Sequence, residues 1–191
     1  MQIIRVEPTT PMLSLTWMIG SRCNYNCSYC PADLHDMVSP HPDLQKLQQV
    51  WLNFHSKTQY LGLPYKVVFT GGEVTANRSF LPLIEFLHGG DFDIGQLIVS
   101  TNGSASTAYY LRLAELVDAI SFSVHSEFWD ENKFFETVIA VNQVMTRPHK
   151  SCHVNIMDEP WNQANIPRYQ MQLDRHGVSH SLNIIEYDNS L

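Results

Sequence analysis

Apolar runs of six to nine residues alternate along this chain with longer stretches of helical period. The runs "LSLTWMI" (13–19), "YKVVFT" (65–70), "QLIVST" (96–101), "AISFSV" (119–124), "CHVNIM" (152–157) and "SHSLNIIEY" (179–187) are rich in Val, Ile, Phe and Thr. Gly, Pro, Asn and Asp bound them, so they read as strands. Between them, Leu44, Leu47, Trp51 and Phe54 recur at three- and four-residue steps in 43–58, the period of a helix buried on one face. The segment 79–88 stops at Gly89-Gly90; Tyr109, Leu113 and Leu116 share a face in 106–117; Phe135, Val138 and Met145 do so in 129–146, with polar Asn142 in the stripe. A last helix, 161–176, has weak periodicity and stops at Gly177.

Strand followed by helix, repeated, predicts an α/β chain with a mostly parallel sheet, because each crossover brings the next strand back in the same direction. Six units are too few for a closed eight-stranded barrel. The expected fold is a partial (β/α)6 TIM-like barrel, a curved sheet with helices outside, formed by residues 1–191 as a single domain. A short extra N-terminal strand is expected at 2–6. In such sheets the functional groups collect at the C-terminal ends of the strands. There the chain carries its cysteines, then "TGGEVT" (70–75), "STNGS" (100–104), "SVHSE" (123–127) and "VNIMDE" (154–159).

Composition narrows the field. With 191 residues, 44% hydrophobic and 16% charged, the chain has enough material for a sizeable core. A net charge of −7 argues against a nucleic-acid partner. The first twenty residues lack the charged and apolar regions of a signal peptide, and no run is long enough to span a membrane. The expected location is the cytoplasm.

Three of the four cysteines, Cys23, Cys27 and Cys30, fall within eight residues. A disulfide framework does not follow from so few and so crowded thiols. Structural zinc usually takes four ligands; here the spacing is C-x3-C-x2-C, and His35 would have to be the fourth. A [4Fe–4S] cube commonly takes four thiolates; three leave one iron open to a small molecule. Cys152 begins a strand far along the chain and reads as a buried small hydrophobe.

These residues resemble the radical S-adenosylmethionine (SAM) superfamily. Cys23, Cys27 and Cys30 reproduce its CxxxCxxC signature, with Tyr29 before the last cysteine. Gly71, Gly72 and Glu73 resemble its GGE motif after the second strand, and "STNG" with Thr101 and Asn102 resembles the turn after the third. Ser123 falls at a usual SAM contact of the fourth strand, His125 stands where an Asp is common, and Asn155 matches a fifth-strand Asn. The overall pattern is similar to the branch holding molybdenum-cofactor and peptide-maturase enzymes, over roughly residues 13 to 187.

The resemblance implies one [4Fe–4S] cluster on the three cysteines. It implies SAM bound by its amine and carboxylate to the open iron, and reductive cleavage to a 5′-deoxyadenosyl radical that takes hydrogen from a substrate. It makes Tyr29, Gly71, Gly72, Glu73, Thr101, Asn102, Ser123 and Asn155 the cofactor contacts. The glycines would let backbone approach the methionine, and Glu73 would meet its amine. His125 and Glu127 are the candidate catalytic residues, departures from the usual acidic strand ending. The chain ends after its sixth strand without further cysteines, so no auxiliary cluster is expected. Expected partners are a small-molecule or short-peptide substrate, a flavodoxin- or ferredoxin-like electron donor, and a second copy or partner protein over the open side. The alternatives are a glycyl-radical activase and a non-catalytic zinc or iron–sulfur binding module.

Overall fold

The structure, a computed structural model, describes residues 11–31 and 35–185. The strand expected at 2–6 and the last residues of the run 179–187 lie outside these. Six strands alternate with five helices: β1 Leu13–Met18, α1 Leu44–Thr58, β2 Tyr65–Thr70, α2 Phe80–Gly89, β3 Ile94–Thr101, α3 Thr107–Leu116, β4 Ala119–Val124, α4 Glu131–Val144, β5 Ser151–Asp158, α5 Ile166–Arg175 and β6 Ser179–Ile184. All pair in parallel, in the order of the sequence. The sheet is therefore one curved, unclosed layer with helices around it, a partial barrel. No helix among the described residues is long and apolar enough to cross a membrane.

Side chains alternate across a strand, and the two faces of this sheet have different chemistry. The outward face, Val67, Phe69, Val99, Phe122 and Val154, is sealed from solvent by Trp51, Phe80, Leu83, Leu113, Phe134, Val138 and Leu173 of the helices. Full burial of each such side chain stabilises by about 1.5–3 kcal/mol before entropy is counted. Cys152 belongs to this layer, its thiol against the carbonyl of Val138. Trp129 packs edge-on against Phe134, Phe135 and Tyr169. The inward face is polar and half-buried: Ser100, Ser121, Ser123, His153, Asn155 and Ser181.

The helix starts follow local rules. Asp43, Ser106 and Asp130 each accept a backbone N–H three residues on, at Lys46, Tyr109 and Lys133, as N-caps do. The last helix differs from its expected span, 161–176. A turn and a 3-10 segment, Gln163–Asn165, come first, and α5 starts only at Ile166 with Pro167 in its first turn. Proline is suited to that place because its missing N–H would have no helical partner. Because all strands run the same way, the five βα turns share one rim, which holds the cysteine loop.

Candidate metal and cofactor site

The loop after β1 carries Cys23, Cys27 and Cys30, none of them in a disulfide. All three line one cavity of about 270 Å³. Two backbone bonds seat the loop on the turn after β2: Gly72 N–H to the Gly20 carbonyl (2.9 Å) and Glu73 N–H to the Arg22 carbonyl (3.0 Å). This contact explains the paired glycines. A Cβ on Gly71 would lie 2.3 Å from the Gly20 oxygen, and one on Gly72 would lie 2.2 Å from the Arg22 oxygen. Gly71 also has φ +138°, which side chains rarely adopt. The atoms that crowd both glycines belong to the cysteine loop, whereas the sequence reading assigned them to the approach of methionine. Both glycines also line the cavity.

Asp36 closes the loop. Its carboxylate accepts the hydroxyls of Ser21 and Ser39 (2.7 Å each) and the N–H groups of Val38 (2.8 Å) and Ser39 (2.6 Å). These bonds hold its carboxyl far below the usual range. Its backbone pairs with Ser21 and Cys23. Asp36 was missed by the sequence reading; the signal was an acidic residue three positions before a serine.

Glu73 stands between β2 and β3, 2% exposed. Its Oε1 accepts from Thr75 N–H (2.9 Å), Thr75 hydroxyl (2.6 Å) and Thr101 hydroxyl (2.8 Å); its Oε2 accepts Asn102 N–H (2.6 Å). A carboxylate offers about four lone-pair sites, two per oxygen, so Oε2 keeps one direction for a ligand in the cavity that Glu73 lines. Burial raises its pKa, against these lowering bonds. Thr101 is shared with the buried Tyr110 hydroxyl (2.7 Å), so its side chain supports Glu73. Asn102 holds the loop through Asn24 (2.9 Å) and brings its amide nitrogen to 4.0 Å from the Cys23 sulfur.

The opposite rim, at β4 and β5, holds the loop by side chains. Tyr29, between two of the cysteines, reaches both His125 Nδ1 and Glu159 Oε1, the latter at 2.9 Å. Glu159 is fully buried and also accepts from Ser126 N–H (3.1 Å) and the Ser126 hydroxyl. Burial drives the Tyr29 phenol far above its ordinary pKa, with the Cys27 and Glu159 charges adding to it. Burial also pushes His125 down to about 4, so the imidazole is neutral near pH 7. Glu127 lies outside the cavity lining; it accepts the N–H (2.8 Å) and hydroxyl of Ser28. The structure thus places one candidate catalytic residue, His125, in the cavity and the other, Glu127, on the loop's outer flank. Ser123 lines the cavity. Asn155, its neighbour across the strands, does not; its amide is taken up by Ser121 (2.8 Å) and Ser181 (3.1 Å).

The cavity suits a cationic inorganic core. Burial raises the pKa of Cys23 and pushes Cys27 up to about 12, and neighbouring thiols and carboxylates add to both shifts. Bound metal reverses that balance, since it stabilises thiolates outright. His35 enters the same cavity with both ring nitrogens buried and unpartnered among the described residues. Among those residues no three His, Cys, Asp or Glu side chains converge on one metal ion. A cube sets a wider triangle, because each thiolate takes a different iron.

No family model matches the chain. Among curated proteins it is 25% identical to the probable GTP 3',8-cyclase of Thermoplasma volcanium, over 94% of this chain and 55% of that protein. This similarity supports the resemblance to the radical SAM superfamily read from the cysteine and Gly-Gly-Glu motifs. A [4Fe–4S] cluster and SAM are the general cofactors that this resemblance implies. In fold, it is similar to Streptococcus suis SuiB, with a TM-score of 0.67 and 14% identity over 95% of this chain and 41% of that one. The chain spans about half the length of the curated relative and less of the structural one.

Proposed function

We propose that this chain is the catalytic core of a radical SAM enzyme, with one [4Fe–4S] cluster on Cys23, Cys27 and Cys30. The observation that carries this reading is the convergence of all three cysteines with Gly71, Gly72, Glu73, Asn102, Ser123 and His125 on one cavity. The bound pair of cofactors would supply one-electron cleavage of SAM, giving methionine and a 5′-deoxyadenosyl radical that abstracts hydrogen from a substrate. The protein's part is placement. Glu73 Oε2 offers its remaining lone pair to the methionine amine. Ser123 and His125 line the side toward β4. The partial barrel shields the reacting groups from solvent.

The substrate reading is a small molecule or short peptide, taken on the inward face of the sheet. A nucleoside triphosphate, as in the relative's name, finds little to hold it there. On the described inward face the single formal charge is Lys66, at the far end of β2 from the rim. A flavodoxin- or ferredoxin-like protein would supply the electron.

Anaerobic reconstitution tests the reading. The expected product is a brown protein with about four irons per chain that forms 5′-deoxyadenosine from SAM under reductant. A colourless zinc protein, inert toward SAM, refutes it in favour of a binding module.

A further inference from the structure

The cysteine cavity has an outer side. Cys23 lines that cavity and also a second hollow of about 660 Å³, open to solvent, whose lining includes Arg22, Met37, His41, Asp43 and Arg78. One residue therefore separates the space proposed for the cluster from the protein surface. The hollow is cationic, on a chain of net charge −7. Arg78 is exposed and has no hydrogen-bond or ion-pair partner among the described residues. Arg22 is exposed too; its Nη1 donates to the Ser39 carbonyl (3.3 Å), which leaves most of its five donors open. Burial and the Arg22 charge lower the pKa of His41, so the two guanidiniums carry the charge. The carboxylate in the lining, Asp43, caps α1 at Lys46 N–H (2.8 Å), and Lys46 lines the adjoining hollow with it. Met37 is 49% and Val38 84% exposed, so the cations border bare apolar surface. Arginine and methionine are both enriched where proteins meet. The opposite flank of the loop, where Glu127 meets Ser28, carries the reverse sign.

We propose that the surface around Arg22 and Arg78 docks the acidic face of a one-electron carrier protein, which passes its electron inward by way of Cys23. This surface serves the enzyme proposed above and rests on that reading, in which each cleavage of SAM consumes one electron supplied from outside. The carrier is oxidised by one electron and the cluster reduced by one; docking itself makes and breaks no covalent bond. Electron transfer weakens steeply with distance, which favours the face where a single residue intervenes. Complementary charge steers the encounter and raises the association rate. Guanidinium groups keep their charge at any working pH, so the attraction is permanent and yields only to salt. The Glu127 flank, by the same rule, repels an acidic carrier.

The test is stopped-flow reduction of the reconstituted chain by two donors: reduced flavodoxin, an acidic protein, and reduced methyl viologen, a small cation. Wild type is expected to be reduced by flavodoxin at a rate that falls as ionic strength rises. Arg78→Glu, which breaks no bond among the described residues, is expected to slow that reaction roughly tenfold or more, and Arg22→Glu to act in the same direction. Neither should slow reduction by methyl viologen, which needs no docking. Arg175→Glu makes the same change in net charge in the last turn of α5, on the opposite rim, and is expected to leave the flavodoxin rate near wild type. A flavodoxin rate indifferent to salt and to Arg78→Glu overturns the proposal. So does equal slowing by Arg175→Glu, or equal slowing with both donors. Melting temperature and iron content check each variant; should Arg22→Glu, beside Cys23, load less iron, Arg78→Glu decides alone. Titration of flavodoxin onto the full chain reads docking without a cluster: Arg78→Glu is expected to weaken binding, and an unchanged affinity overturns the proposal. A chain that loads no iron would strike the enzyme reading while leaving the docking surface measured.

Discussion

Two buried carboxylates stand on opposite sides of the cysteine loop, Glu73 at β2 and β3 and Glu159 at β5. Both accept serine or threonine hydroxyls and a backbone N–H, and burial raises the pKa of both. They differ in what they grip. Glu73 is held by residues of its own rim, and the loop reaches that rim through backbone bonds packed on two glycines. Glu159 grips the loop itself, through a tyrosine between the cysteines. One side is a seat fixed by backbone; the other is a side-chain clamp.

The seat is expected to be the more sensitive side. Gly72→Ala forces a methyl into the Arg22 carbonyl at 2.2 Å, with backbone on both sides and no flexible tip to yield. Overpacking of this kind is expected to cost about 3 kcal/mol or more, and reconstituted iron should fall with it. Thermal melting and iron assay check both, and a wild-type melt would remove the seat from the account. Glu73→Ala leaves the Thr101 hydroxyl and the Asn102 N–H buried without their acceptor, an expected loss of about 2–3 kcal/mol, read by denaturant titration.

Glu73 also gives a pH signature. Its folded pKa lies above the unfolded value, so its contribution is fully present below the ordinary glutamate pKa, about 4.3. That contribution is lost as pH rises through the raised value. The stability difference between wild type and Glu73→Gln should therefore fall across that window. A difference that rises with pH contradicts the burial argument.

The clamp is expected to respond less. Glu159→Gln keeps the volume and part of the bonding, so about 1–2 kcal/mol is expected. Glu127→Gln, at a solvent-exposed contact with Ser28, is expected to cost below about 1 kcal/mol and to leave iron uptake near wild type. Equal losses at Glu73 and Glu159 would erase the distinction between seat and clamp.

The strands and most helices were legible because one face of each element is apolar and the caps Asp43, Ser106 and Asp130 mark the starts. The last helix was not, because a 3-10 segment and Pro167 delay it. At the site, the cysteines and the Gly-Gly-Glu stretch announce themselves by spacing. Glu159 does not: before Pro160 it looks like a strand ending, and its role depends on Tyr29, 130 residues away. Glu127 illustrates the converse. Sequence put it on the rim, but facing the cavity or gripping Ser28 is a matter of side-chain direction that periodicity past a strand's end does not specify.

On the proposed function, Cys23, Cys27 and Cys30 hold a cluster whose remaining iron takes SAM. The decisive measurement is the electron paramagnetic resonance spectrum of the reduced, reconstituted protein, recorded before and after SAM is added. A [4Fe–4S] signal that SAM visibly alters is expected in wild type, and no such signal once Cys23, Cys27 and Cys30 are replaced by alanine. A cluster spectrum indifferent to SAM, or one that survives loss of all three thiols, would contradict it.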